Sequence, residues 1–259
     1  MYTCSMADEE KIRILQDLID SHAHITGFTG AGLSTESGIP DFRSKGGIWE
    51  RYVPIYFDEF LRDPLKQLEY WKRKLEMWPQ FRDAQPNSGH FFLKELQEKG
   101  RLAGVITQNV DGMHAKSGLP EEKIVRLHGT NSEVVCLSCG KIHPARDIME
   151  GLDLDRDGPP RCSCGGILKP NTISFGQNLR ATDLQRAEEL SLSCDLMIVL
   201  GSTLVVYPAA GFPEIAKQNG ADLAIITLSD TPLDDLADVV LHAPIGEVVS
   251  RIEIRKKEE

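Results

Sequence analysis

No stretch of this 259-residue chain approaches the roughly 18 consecutive apolar residues that a membrane helix requires, so a membrane-spanning protein is not expected. The first residues, through Lys11, also lack a basic region followed by an apolar run, and the expectation that follows is a cytoplasmic protein. Positive charge is in deficit: 29 Lys and Arg face 39 Asp and Glu, for a net charge of −10. That balance removes the bulk attraction of a basic protein for nucleic acid or an acidic membrane, so direct nucleic-acid binding is not expected, whereas basic protein tails would be attracted. Internal repeats and low-complexity segments are absent as well, which excludes solenoids and fibres and confines disorder, at most, to the two ends. What remains, 41% hydrophobic and 26% charged residues, suits one large domain or a large domain with a small satellite. It specifies no oligomeric state.

Cysteine is scarce and unevenly placed. Cys4 and Cys194 stand alone as spectators, but Cys136/Cys139 and Cys162/Cys164 form two close pairs, C-x2-C and C-x-C, separated by 22 residues. Disulfides are one reading, yet in a reducing cytoplasm they rarely persist. Four thiolates can surround one Zn²⁺ tetrahedrally and leave no open position for water, so the spacing predicts a structural zinc without a catalytic role.

Apolar spacing predicts a helix over 9–22, then short continuous apolar strands at 25–28, 102–106, 195–200 and 223–228, separated by material with helical character. Continuous rather than alternating strands are buried on both faces, so the fold class is α/β with a parallel, Rossmann-like sheet. Two regions interrupt it. A helical insertion spans 45–83, with a helix over 64–78 that carries Leu65, Leu68, Trp71, Leu75 and Trp78 on one side. A small zinc-binding module spans 132–170, with the Gly, Pro and Asp content of loops between 136 and 170. The sheet domain is therefore discontinuous: 1–44, 84–131 and 171–259.

The segment GAGLSTESGIPDFR, Gly30 to Arg43, follows the first strand and is a candidate phosphate cradle, because glycine lets backbone N–H groups approach a pyrophosphate. The dehydrogenase fingerprint G-x-G-x-x-G would place glycine at position 35, where Thr35 stands, which disfavours an ordinary dehydrogenase. Gln108, Asn109 and Asp111 follow a strand directly, where ligands sit in open parallel sheets; a polar turn capping a helix is the plainer reading. His128 offers an imidazole suited to general-base work near neutral pH. The remaining histidines, His22, His24, His90, His114, His143 and His242, carry no comparable motif and are taken as structural or solvent-facing, with His90 and His114 worth watching for their neighbours.

Together these motifs resemble the sirtuin family of NAD-dependent protein deacylases, in order and from about Ile25 to Val248: GAGLSTESGIPDFR, then TQNVDGMH, the His128–Gly129 pair, the two cysteine pairs, 174–177, and GSTLVVYPAA from Gly201. The resemblance implies that NAD is the co-substrate and one zinc per chain is structural. Gly30, Ala31 and Gly32 would meet the NAD phosphates, and Asp41, Phe42 and Arg43 would form the loop over the nicotinamide end, with Phe42 shielding the reacting carbon. Gln108 belongs to the same site, and His128, Asn109 and Asp111 would be catalytic, His128 as base and the other two orienting the nicotinamide ribose and its amide. Gly201, Ser202, Thr203, Thr227 and Ser229 would complete the cofactor site. An acylated lysine in a protein or peptide would lie between Phe175–Gly176 and Val205–Val206, adding as a strand. Nicotinamide, free lysine and O-acyl-ADP-ribose would be the products.

Three departures from the family pattern stand out. The second cysteine pair is C-x-C rather than C-x2-C, which requires a tighter or differently aimed loop. Ser202 and Thr203 invert the usual Gly-Thr-Ser order, though both keep a hydroxyl. Thr227 occupies a position where the family usually has Asn to meet the adenine ribose. Tyr70 and Arg73 match a Tyr-x-x-Arg pair with which some sirtuins grip acidic acyl groups, so succinyl- or malonyl-lysine joins acetyl-lysine as a candidate; a solvated helix face is the plainer reading. A mono-ADP-ribosyltransferase on the same scaffold is the alternative function, and a zinc module without turnover gives no reason for His128 beside Gln108–Asp111.

Overall fold

The computed structural model describes residues 6–256; Cys4 lies outside them. Nine strands are present among these residues: β1 (Ile25–Thr29), β2 (Leu102–Thr107), β3 (Ile124–Arg126), β4 (Gly129–Cys136), β5 (Ile142–Pro144), β6 (Leu168–Thr172), β7 (Leu196–Leu200), β8 (Asp222–Ile226) and β9 (Val239–Leu241). Six of them form one sheet in the order β3-β2-β1-β7-β8-β9, and every pairing in it is parallel.

β1 and β7 are buried along their whole length, and β2 and β8 at all but one residue each, because helices cover both faces. Side chains alternate between those faces. Ile198, Leu200, Ala224 and Ile226 join one core with Ile12, Leu15 and Ile19 of helix Met6–Ser21 and Phe92, Leu93 and Leu96 of helix Ser88–Glu98. Phe28, Met197, Val199, Leu223 and Ile225 join the other with Ala187 of helix Ala181–Ser193 and Phe212 and Ala216 of helix Gly211–Gln218. The strand order reverses between β1 and β7, so the chain leaves these neighbours in opposite directions and a crevice opens at their carboxyl ends. β3 and β9, of three residues each, went unforeseen because a period cannot be read from so few positions.

A third core lies outside the parallel sheet. β5, β4 and β6 form an antiparallel three-stranded sheet where 136–170 had the composition of loops. The helix expected over 64–78 runs Pro64–Asp83 and continues through Pro79. Trp71, fully buried, packs with Phe60, Val134, Met149 and Leu168, so the helical insertion and the cysteine-bearing segment share one core. Leu65 departs from its expected face and is 74% exposed, while Leu68, Leu75 and Trp78 are partly buried against this core.

Candidate active site

The site is built where β1 and β7 end. Gly30 leaves β1 extended and begins a 3-10 turn, Ala31–Ser37, closed by Gly38 in the left-handed region. Gly201 leaves β7 at φ +66, a conformation that favours glycine. The two turns interlock: the Gly30 N–H donates to Leu200 O at 3.0 Å and the Gly32 N–H to Gly201 O at 2.9 Å. A Cβ on Gly30 would lie 2.7 Å from Gly201 O, and one on Gly201 only 2.2 Å from Leu33 N. Glycine is thus required by backbone contact at this crossing. A pyrophosphate at this end of the sheet would meet backbone without intervening side chains.

From the end of β2, Gln108 Nε2 donates to Ser202 Oγ at 2.9 Å, joining the second motif to the third. Asn109, buried, donates from Nδ2 to Gly30 O at 2.9 Å and Ser34 Oγ at 3.3 Å; Ser34 Oγ donates in turn to Asp111 Oδ2 at 2.7 Å. Burial raises the Asp111 carboxyl pKa, against the Met113 N–H and Ser34 hydroxyl that favour its charged form. Ser34 was missed from the sequence, where it read as one hydroxyl within a glycine motif.

His128 sits between β3 and β4. Its Nδ1 lies 3.1 Å from Gln108 O, and since a carbonyl only accepts, Nδ1 carries the proton and Nε2 keeps its lone pair. Burial lowers the pKa of His128, and the Gln108 carbonyl opposes that shift. Gly129, at φ +76, allows β6 to approach: a Cβ there would fall 2.0 Å from Asn171 O. Behind it, the Ile173 N–H donates to His128 O at 2.9 Å, so β6 helps fix the imidazole in place.

The glycine crossing, Gln108, Asn109 and His128 open into one cavity of about 1200 Å³. Gly30, Ala31, Gly32, Asp41, Phe42, Arg43, Gln108, Asn109 and His128 line it, as do Gly201, Ser202, Thr203, Thr227 and Ser229; Asp111 stands behind Asn109 and Ser34. Asp41 is engaged by its own loop, accepting from the Arg43 and Ser44 N–H groups and the Ser44 hydroxyl. Phe42, 38% exposed, begins an aromatic row through Trp49 and Phe175 to Tyr56, with ring centroids 5.7 to 6.0 Å apart. Phe175, Gly176, Val205 and Val206 line the same cavity. Tyr70 and Arg73 both face the cavity, but Tyr70 bonds Thr172 Oγ1 at 3.2 Å, while Arg73 is held by the Glu69 carboxylate and Val53 O. Lys74 also lines the cavity and donates to Asn131 Oδ1 at 3.0 Å.

The model of the Sir2 family matches residues 30–208, from the first glycine of the crossing through Gln108–Asp111, His128 and the four cysteines into the motif that begins at Gly201. The chain belongs to the Sir2 family. A Rhodopseudomonas palustris protein named NAD-dependent protein deacetylase is 44% identical over 235 residues, 91% of this chain and 93% of that protein. NAD-dependent protein deacetylase 1 of Bradyrhizobium diazoefficiens is 45% identical over 236 residues, 91% of this chain and 92% of its own. Among solved structures, a Sir2–p53 peptide–NAD⁺ complex superposes with a TM-score of 0.80 at 36% identity, covering 93% of this chain and 96% of that one.

The sirtuin's cysteines meet the metal expectation. The Sγ atoms of Cys136, Cys139, Cys162 and Cys164 all lie within 4.8 Å of one another, with Cys136–Cys164 at 3.6 Å and Cys139–Cys162 at 3.9 Å. A tetrahedron with Zn–S bonds of about 2.3 Å has edges of about 3.8 Å, so the donor set fits zinc. The short C-x-C spacing is accommodated by a tight turn: Cys162 N–H donates to Gly166 O, and Gly165 takes φ +83. The Cys164 N–H brings Cys162 down to about 5; the Gly166 N–H also favours a Cys164 thiolate, yet the other three sulfurs push Cys164 up to about 12. Such mutual repulsion is what a divalent cation relieves. Cys194 is buried at the end of helix Ala181–Ser193, outside the four-cysteine cluster, with its thiol raised to about 11 by burial.

Proposed function

We propose that this sirtuin removes acyl groups from protein lysine at the expense of NAD⁺, releasing nicotinamide and forming O-acyl-ADP-ribose. The observation that carries the reading is His128: an imidazole with Nδ1–H fixed on a carbonyl and Nε2 bare, in the same cavity as the glycine crossing. The bound dinucleotide would supply the ribose that accepts the acyl group. His128 Nε2 would take the proton of a ribose hydroxyl. Asn109 and Asp111 would orient that ribose, the glycine turns would hold the phosphates, and Phe42 with Trp49 would keep water from the reacting carbon. Holding both substrates in one cavity contributes orientation of the kind worth about 7–11 kcal/mol in the best intramolecular reactions.

Acetyl-lysine is the principal substrate on this reading. An acidic acyl chain requires Arg73 to exchange Glu69 for the acyl carboxylate, with Lys74 as the second cation facing the cavity. Deacetylation and desuccinylation of one peptide, by wild type, Glu69→Gln and Arg73→Met, decide the point. Rising desuccinylation in Glu69→Gln and its loss in Arg73→Met support the exchange; no desuccinylation by any of them ends it. The whole assignment rests on nicotinamide release that depends on an acylated peptide and on His128. Labelled NAD⁺ that marks protein without deacylation would establish the mono-ADP-ribosyltransferase instead.

A further inference from the structure

Two buried imidazoles lie beside the cofactor turns without belonging to them. His90, on helix Ser88–Glu98, and His114, in the short helix Met113–Lys116, meet edge to face with centroids 5.1 Å apart. His90 is fully buried and His114 is 3% exposed. Burial holds the pKa of each below the usual histidine range, so both rings are neutral. One nitrogen of each, His90 Nε2 and His114 Nδ1, is buried without a hydrogen-bond partner among the described residues. An unpartnered buried nitrogen destabilises, and an apolar ring would fill the same space without that penalty. A retained imidazole at position 114 therefore points to what its other nitrogen does.

That nitrogen, His114 Nε2, lies 2.9 Å from Thr29 Oγ1. Thr29 and Thr107 are register partners at the carboxyl ends of β1 and β2, and the Thr29 hydroxyl donates to Thr107 Oγ1 at 2.7 Å. Having given its proton to Thr107, the Thr29 oxygen is an acceptor, so His114 must present Nε2–H. Thr107 Oγ1 in turn accepts the backbone N–H of Asn109 at 3.0 Å, and Gln108 N–H donates to Thr29 O at 3.0 Å. The hydroxyl pair thus staples together the exits of both strands that carry the cofactor turns, and His114 fixes its direction.

We infer that His114 is a positioning residue: its Nε2–H orients the Thr29–Thr107 hydroxyl pair, which sets the backbone of Asn109 and so the amide that reaches Gly30 O. The inference rests on the proposed role of Asn109 toward the nicotinamide ribose. Its network is tested without turnover by nitrogen-15 histidine shifts on the zinc-loaded protein. A neutral His114 with the proton on Nε2 is expected between pH 6 and 8; a proton on Nδ1, or an imidazolium, overturns it. Kinetics supply the second arm. His114→Phe should lower kcat/KM for NAD⁺ about tenfold to a hundredfold, the scale of a misplaced reacting group, with KM for the acyl-peptide and Tm little changed. His114→Gln, which returns an N–H donor, should recover most of the loss. In an Asn109→Ala background His114→Phe should cost less than about twofold further, since groups acting through one another are not additive. Equal losses in His114→Phe and His114→Gln, or a full additional loss on top of Asn109→Ala, would show a merely structural ring. If His114→Phe does not fold, Thr29→Val removes the same link and must show the same dependence on Asn109. A wild-type protein without nicotinamide release in any acyl-peptide assay defeats the proposed function and leaves the tautomer measurement standing.

Discussion

Replacing Gly201 with alanine tests the crossing on which the proposed cofactor site is built. The new Cβ would stand 2.2 Å from Leu33 N and 2.5 Å from Gly32 C, against 3.4–4 Å for ordinary contact, so the Ala31–Ser37 turn must retreat by about 1 Å. Holding alanine at φ +66 costs about 1 kcal/mol. The retreat breaks the hydrogen bonds Gly32 N–H to Gly201 O and Gly30 N–H to Leu200 O, at about 1 kcal/mol each. The local cost is then about 3 kcal/mol, and a displacement of this size at a reacting centre lowers rates about a hundredfold. The assay is nicotinamide release from an acetyl-peptide as NAD⁺ is varied. Gly38→Ala is the control: it too has positive φ, but nothing lies within 4 Å of its Cβ, so only backbone strain should appear and turnover should persist. Gly201→Ala with kcat/KM for NAD⁺ within twofold of wild type refutes the argument, as does an equal loss in Gly38→Ala.

His128→Gln should reduce kcat by about 10²–10⁴, the usual contribution of a general base, while the far-ultraviolet circular dichroism is unchanged; wild-type turnover would remove the base from the mechanism. Because burial lowers the His128 pKa, the acid limb of kcat/KM should fall below pH 6.5, and a limb above 7 contradicts the assignment. His90, brought down to about 4 by burial, binds its proton less readily folded than unfolded. Its share of stability is therefore complete above about pH 6.5 and lost as pH falls toward 4, about 2 kcal/mol by pH 5. Urea midpoints at pH 7.5 and 5.0 should converge in His90→Gln relative to wild type, and an unchanged difference would show that His90 is not the titrating group. All three tryptophans, Trp49, Trp71 and Trp78, lie in the helical insertion, where Trp71 and Trp78 pack on the core that holds the cysteines. Chelating the zinc should therefore shift tryptophan emission to the red before the parallel sheet melts; a single concerted transition would show that the small core does not depend on the metal.

The residues that converge on the candidate site were largely legible because each motif is local. The glycines of 30–32 and 201, the run Gln108–Asp111 and the pair His128–Gly129 each occupy a strand end, and a strand end can be read from a few apolar residues followed by glycine or polar side chains. The four cysteines were legible for the same reason, since spacing within each pair is a local constraint. β4 to β6 were not, because their segment is rich in turn residues and its core comes from Trp71 and Phe60, far away in the chain. Nor was the state of Arg73. Its spacing from Tyr70 places both on one helix face, but only the fold brings Val53 O to the guanidinium beside Glu69, an intrahelical neighbour equally available in solvent.

By itself the sequence determined the parallel α/β class, the four-thiolate metal set and the order of the cofactor motifs, since each depends on residue type at short spacing. Tertiary structure alone decided which glycines touch, that the two insertions share one core, and that His114 stands behind Asn109 through two threonines. Those relations join positions tens of residues apart: the register of β1 with β2 and β7 sets the glycine crossing and the threonine pair, and the packing around Trp71 sets the shared core.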